Sequence, residues 1–196
     1  AELIVVDGGS IDDTRARAEP LADRVLVAPR GRATQMNVGA NAARGELLLF
    51  LHADTRLPQE AHGLLEALAA EGPLWGRFDV RFDHDAALLA IVATLMNWRS
   101  RVTGVATGDQ AMFVSRDLFA RVGGFPPIEL MEDVALSKRL RLELAPRCLR
   151  ARVTTSARRW LKAGPLRTIV LMWMLRLAYV LGVAPATLAR WYRQIR

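Results

Sequence analysis

Two apolar runs constrain this chain most. "LIVVD" occupies residues 3–7 and "ELLLFLHAD" occupies residues 46–54. A strand with apolar side chains on both faces must be covered on both faces, as strands between two helix layers are. Each run ends on an acid, Asp7 and Asp54. In layered α/β folds ligands sit beyond the carboxyl ends of the strands. If the two strands run parallel, both carboxylates stand on one rim.

The remaining pattern alternates strands with helices. "RVLVAP" (24–29) is a short strand stopped by Pro29, and residues 31–45 are a loop and a short helix ended at Gly45. Pro58 opens a helix through about Ala70. In "GRFDVRFD" (76–83) Phe78, Val80 and Phe82 alternate with charged residues, which predicts a strand with one covered and one polar face. A helix follows from about Asp85 to Arg101, "GDQAMFVS" (108–115) is another strand, and a helix starts near Glu132. "RCLRARVTTS" (147–156) is a weaker strand, and from Leu166 the chain is helical with a break near Gly182 to Pro185. The expectation is an α/β fold with a mainly parallel central sheet flanked by helices.

Several of these turns carry residues with chemistry. Asp54 at a strand end suits Mg²⁺ or Mn²⁺, hard cations that bind through one or two carboxylates plus substrate phosphates. It equally suits a cap for the turn before Pro58. His52 points the same way as Asp54 on an extended chain; it is either a ribose or phosphate contact or a satisfied core histidine. In "VDGGSIDDT" Asp7 can accept hydrogen bonds from a nucleoside, and Gly8 and Gly9 allow close backbone approach. A strand-to-helix turn capped by Asp12 or Asp13 explains the same residues without a ligand. Glu132 and Asp133 fall in a first helical turn, where the dipole stabilises acids. The functional alternative is a general base; the dipole favours the ionised form and opposes that role, and neighbouring acids counter it. Arg158 and Arg159 suit a diphosphate leaving group or a solvated surface.

Charge and cysteine content narrow the classes. The net charge of +7 is carried almost wholly by arginine, scattered among acids rather than gathered in one run. With no aromatic ribonucleoprotein signature, nucleic acid is not the expected partner. A single cysteine, Cys148, excludes an internal disulfide framework and fits a reducing compartment. There is no Cys/His run at zinc spacing.

The order of the motifs is more specific than any one of them. "IVVDGGSIDDT", "GRATQMNVGANAARGELLLFLHADT", "TGDQAMFVSRDLFARVGGFP" and "LMEDVALSKRL" together resemble family 2 glycosyltransferases over nearly the whole chain. "HADT", "GDQAMF" and "TSARRW" are most similar to the bacterial arsenosugar biosynthesis, or radical-SAM/selenodomain-associated, subgroup. The resemblance implies a GT-A fold, a nucleotide-diphosphate sugar donor, a divalent metal (Mg or Mn) and inversion at the anomeric carbon. By position it implies that Asp7 and Asp13 meet the nucleoside and that Arg32 and Asn37 frame the nucleotide. Asp54 is the matching metal ligand, and Asp133 the matching catalytic base. Gly108, Asp109 and Gln110, with Glu132, then line the sugar or acceptor site. His52 replaces the first acid of the usual Asp-x-Asp motif. The family's strand and helix preceding "LIVVD" are not in the sequence, so the expected fold lacks its first strand and helix.

The domain expectation is a catalytic unit over 1–165, followed by apolar helices over 166–196 that pack on it or form an interface. Arg167 and Arg176 interrupt the segment 164–185, leaving apolar runs too short to cross a bilayer. Trp173, Tyr179, Trp191 and the basic end "RWYRQIR" fit a membrane surface, and a homodimer is the other reading. The expected location is the cytoplasm, with the inner face of the membrane as the alternative. Two rivals stand beside the transferase: a nucleotidyltransferase, and a non-catalytic module that binds a nucleotide or partner. Neither the sugar nor the acceptor is written in the sequence.

Overall fold

Strand periodicity builds two cores on opposite faces of one sheet. A computed structural model describes the backbone of residues 1–195 and the side chains through Arg193. Strands β1 (Ile4–Asp7) and β2 (Arg24–Val27) form a two-stranded parallel sheet, with α1 (Thr14–Ala18) between them. Helix α2 (Arg32–Ala42) leads to β3 (Leu47–Phe50), followed by the short β4 (Thr55–Arg56), α3 (Ala61–Ala69) and β5 (Trp75–Phe82). Helix α4 (Ala87–Thr103) precedes a one-turn 3-10 helix (Gly108–Gln110), β6 (Met112–Ser115) and α5 (Arg116–Arg121). Next come α6 (Glu132–Glu143), β7 (Arg147–Thr155), α7 (Arg158–Ala163), α8 (Pro165–Val180) and α9 (Pro185–Ile195).

The larger sheet has the order β3-β6-β5-β7-β4. Successive side chains point to opposite faces. Thus Leu48, Met112 and Val114 pack with Ala33 and Ala40 of α2, Leu118 of α5 and Leu136 of α6. Leu47, Leu49, Phe113, Phe78 and Val80 face the other way, onto Ala61 and Leu65 of α3 and Ala93 of α4. Phe78 and Phe113 are fully buried and meet edge to face at 5.7 Å. Each contributes roughly 1.5–3 kcal/mol by burial.

The central sheet flanked by helices is as expected, but it is mixed rather than mainly parallel. Only β5 and β7 pair parallel within it; β3 with β6, β5 with β6, and β4 with β7 are antiparallel. The expectation rested on the alternation of strands with helices. After α4, however, residues 104–111 carry the chain along the sheet before β6 begins, so Val114 near the end of β6 meets Trp75 at the start of β5. Because β1 and β2 form a separate ladder, Asp7 and Asp54 do not end neighbouring strands of one sheet.

Two local expectations also change. β3 stops at Phe50, because the Thr55 N–H donates to the His52 carbonyl (3.0 Å) and turns the chain at "HADT". The charged face of β5 is solvated only at its end, where Arg81 and Asp83 are exposed; Arg77 and Asp79 are buried against α4. Arg77 is fully buried, paired with Asp79, and donates from Nε to Ser100 Oγ (3.0 Å) and from Nη2 to the Asn97 carbonyl (3.0 Å). Arg101 closes the same cluster on Asp79 at 2.8 Å.

Prolines at the first position start α8 and α9, where the missing N–H costs nothing. Leu175 of α8 and Leu188 of α9 are fully buried against Leu130, Met131 and Val134 at the start of α6. No helix among the described residues is long and apolar enough to cross a membrane. The basic end "RWYRQIR" runs past the described side chains, since Gln194, Ile195 and Arg196 lie outside them.

Candidate active site

Three segments distant in sequence meet beyond the end of β3. The turn after β3 supplies His52 and Asp54, the 3-10 turn supplies Gly108 and Asp109, and the start of α6 supplies Glu132 and Asp133. The Gly108 N–H donates to Asp133 Oδ2 at 2.9 Å, and the Val134 N–H donates to its Oδ1 at 2.7 Å. His52 Nδ1 lies 3.7 Å from Asp109 Oδ1. A Cβ at position 108 would overlap the His52 imidazole, so glycine is what lets the two segments close. Arg32 at the start of α2 grips Glu132 with both arms of its guanidinium, Nε to Oε1 at 2.8 Å and Nη2 to Oε2 at 3.2 Å.

Backbone strain marks the same place. Ala111 (φ 45°) follows the 3-10 turn, and Met131 (φ 69°) precedes Glu132. They are the only non-glycine residues at positive φ among those described. Such conformations cost of order 1–3 kcal/mol each and gather at functional sites.

Electrostatics couple the cluster. Burial pulls the His52 imidazole down, but the nearby Asp109 carboxylate outweighs it, so its pKa is raised. Burial pushes Asp109 up, yet His52 and the more distant Arg159 and Arg32 bring it below its usual range. The Glu132 carboxyl is raised by burial and by Asp133, with Arg32 opposing. Burial draws Arg32 down, and the charges of Glu132 and Asp133 more than restore it. Together they form an alternating network of His52, Asp109, Arg32, Glu132 and Asp133.

The other expected residues divide. Arg159 lines one cleft with Asp54, Asp109 and Ser156, so it reaches the cluster, whereas Arg158 is exposed at the start of α7. Gln110 is fully buried and turned inward; its Oε1 accepts from the Thr107 N–H (3.2 Å), so it braces the 3-10 turn rather than lining a cleft. Asn37 is likewise occupied: Nδ2 donates to the Phe125 carbonyl (2.8 Å) and Oδ1 accepts from the Phe125 N–H (3.0 Å). Asp7 is buried at the end of β1 and closes its own turn, accepting from Gly9 N–H (3.0 Å) and the Ser10 hydroxyl (2.5 Å). The Ser10 hydroxyl holds its pKa below the usual value. Gly9 (φ 84°) takes the left-handed conformation this turn requires. Asp13 is exposed and makes no side-chain cap; Asp12 binds Thr14 instead, accepting from its N–H at 3.1 Å.

Sequence reading passed over Gln35, which donates to the Val6 carbonyl (2.9 Å) and packs against Gly8, fixing the turn at Asp7 onto α2. Gly8 was the available signal, because a Cβ there would meet the Gln35 amide at 2.9 Å.

A hard divalent cation fits this site only together with a ligand. Asp54 is exposed, and with Asp109 it offers carboxylate oxygens to one cleft. Among the described residues there is no group of three His, Cys, Asp or Glu side chains to hold a metal unaided. One or two carboxylates completed by diphosphate oxygens is the binding mode such ions use at phosphate sites.

The layered α/β architecture is that of the GT-A fold. The chain belongs to glycosyl transferase family 2, whose sequence profile matches residues 1–118. Two uncharacterized glycosyltransferases of Mycobacterium tuberculosis, MT1564 and Rv1514c, are 35% identical over 134 residues, 63% of this chain and 50% of each relative. The chain thus spans about half the length of the curated relatives it matches. Among solved structures, Staphylococcus aureus TarS (residues 1-349) superposes with a TM-score of 0.60 at 17% identity, covering 80% of this chain and 51% of that one. The mannosyltransferase PcManGT of Pyrobaculum calidifontis, in complex with GDP-Man and Mn2+, gives 0.54 at 19%, covering 78% and 47%.

Proposed function

We propose that this protein transfers a sugar from a nucleotide-diphosphate donor to an acceptor hydroxyl, with inversion and with a divalent metal. The observation that carries this reading is the hydrogen bond from Gly108 N–H to Asp133 Oδ2. It ties the helix that offers a carboxylate to the turn that carries Asp109, beside the cleft of Asp54 and Arg159.

In this mechanism Asp133 takes the proton of the acceptor hydroxyl as its oxygen attacks the anomeric carbon. The new carbon–oxygen bond forms as the bond to the donor phosphate breaks, and the nucleoside diphosphate leaves. A single base without an enzyme nucleophile gives inversion. Two backbone N–H donors aim the Asp133 carboxylate before substrate arrives. Asp54 would hold the Mg²⁺ or Mn²⁺, whose chemistry when bound is to neutralise charge on the diphosphate. Arg159 adds positive charge at the same cleft. His52, kept charged to higher pH by Asp109, offers a hydrogen-bond donor where the common motif has an acid. Asp7 and Gly9 shape the nucleoside end. The GDP-Man and Mn2+ of the Pyrobaculum neighbour agree with this donor and metal class.

The motifs "HADT", "GDQAMF" and "TSARRW" support the arsenosugar-type subgroup. The lone cysteine, half-buried Cys148, supports a reducing cytoplasmic setting. Residues 1–165 are the catalytic unit in this reading, and residues 166–196 are its cover.

Calorimetry with UDP, GDP and their sugars, with and without Mn²⁺, tests the proposal. Metal-dependent binding that Asp54→Ala removes is expected. Asp133→Asn should leave donor binding within about twofold and lower transfer by roughly 10²–10⁴. Transfer at an undiminished rate in that variant would remove Asp133 from the base role.

A further inference from the structure

Two arginines beside the cluster have no counter-ion. Arg99 lies on α4 and Arg176 on α8. Among the described residues neither forms an ion pair. Arg99 Nη2 is buried with no hydrogen-bond partner, the one such side-chain atom among those described. Other buried or partly buried arginines nearby are paired: Arg77 and Arg101 with Asp79, and Arg32 with Glu132. An unpaired buried cationic donor is unfavourable by more than a neutral one, and a second cation next to it adds repulsion.

Both sit on helices that pack beside Glu132, Asp133 and the 3-10 turn. Arg176 follows Leu175, which is packed on Met131 and Val134, the residues flanking Glu132 and Asp133. Arg99 lies two residues beyond Asn97 on α4, the helix that buttresses the 3-10 turn, where Asn97 Oδ1 accepts from Gln110 Nε2 at 3.4 Å. Burial and the charge of Arg176 pull the Arg99 guanidinium down to about 10, and both arginines feel Asp133. Arg159, by contrast, shares the cleft of Asp54 and Asp109, where the donor diphosphate belongs.

We propose that Arg99 and Arg176 form an oxyanion site next to Asp133, and that the acceptor carries a phosphate group there in addition to the hydroxyl that receives the sugar. Two guanidinium forks match a phosphate dianion in charge and in donor geometry. The anion would supply the missing partner of Arg99 Nη2 and cancel the repulsion between the two cations. It would also anchor the acceptor so that its hydroxyl stands at Asp133. This assignment of the acceptor rests on the transferase reading above; the oxyanion site itself does not.

Inorganic phosphate is the probe, titrated into the full chain by calorimetry with and without saturating Mn²⁺ and UDP. Phosphate should bind the unaltered protein, and Arg99→Gln and Arg176→Gln should each weaken it about tenfold or more. Both variants should still bind Mn²⁺ and UDP, which shows that they fold. Equal phosphate binding in the variants, or none in the unaltered protein, overturns the site. Competition between phosphate and Mn²⁺ with UDP overturns the acceptor assignment, because the arginines would then serve the donor diphosphate. If UDP and GDP fail to bind while arginine-dependent phosphate binding persists, the transferase reading falls and the oxyanion site stands.

Discussion

At the scale of the residue, His52 is the position where electrostatics give a direct prediction. Burial disfavours its charged form, but Asp109 at 3.7 Å more than compensates. The imidazole should titrate above its ordinary value of 6.5. The sign of the linkage follows: a raised pKa contributes stability that is complete below the unfolded value and fades as pH rises through the folded one. In Asp109→Asn the compensation goes while burial remains, so His52 should titrate below the ordinary value. Histidine ring resonances followed by NMR against pH would check this, and an unchanged titration in the variant would refute the pairing. The candidates for chemistry were partly legible in the chain: Asp54 as the acid that ends an apolar run, and Asp133 through its motif's resemblance to the family. A turn cap explains the first as well, and the helix dipole the second. Gln110 closes a local capping box with Thr107, whereas Asn37 could not be read, because its amide binds backbone 88 positions away. That pairing is set by folding, not by spacing.

At the scale of the element, β5 and α4 form one unit. Asp79 neutralises both Arg77 and Arg101 under the helix. Asp79→Ala should therefore leave a fully buried guanidinium uncompensated and cost about 3 kcal/mol. Urea unfolding should show a lower midpoint with an unchanged slope. A loss under about 1 kcal/mol would mean that Ser100 and Asn97 satisfy Arg77 alone. Alternation in "GRFDVRFD" located the strand correctly, and its charged face is exposed at Arg81 and Asp83 but buried at Arg77 and Asp79. Period-two patterning tells which residues share a face, whereas only the packing of α4 tells that half of this face is dry. Helix α8 poses the reverse case. Leu166, Val170, Trp173, Leu177 and Val180 form one stripe, all at least 61% exposed. A membrane-surface role for this stripe, the alternative read from the sequence, makes a definite prediction. Vesicle flotation should recover the protein, and Trp173→Glu should lower the recovered fraction severalfold. Full recovery of that variant would count against the stripe.

At the scale of the molecule, donor binding and fold stability are linked, because the proposed donor site joins residues of β1, the turn after β3, the 3-10 turn and α7. A ligand at about 100 times its dissociation constant stabilises by about 2.7 kcal/mol. For a domain of this size that shifts the thermal midpoint by roughly 5–10 °C. UDP or GDP with Mn²⁺ should produce such a shift in differential scanning calorimetry, and Asp54→Ala should reduce it to that of the nucleotide alone. A full shift in the variant would exclude Asp54 as the metal-holding residue. The sequence by itself determined the α/β class and the family, since apolar runs, turn residues and motif order are local properties of the chain. Only the tertiary structure decided the mixed direction of the sheet, the buried charge under α4, and the meeting of Gly108 with Asp133. It alone also revealed Arg99 without a partner beside Arg176. Each of these depends on which distant segments come into contact and exclude water, and that is settled only when the two cores close around the sheet.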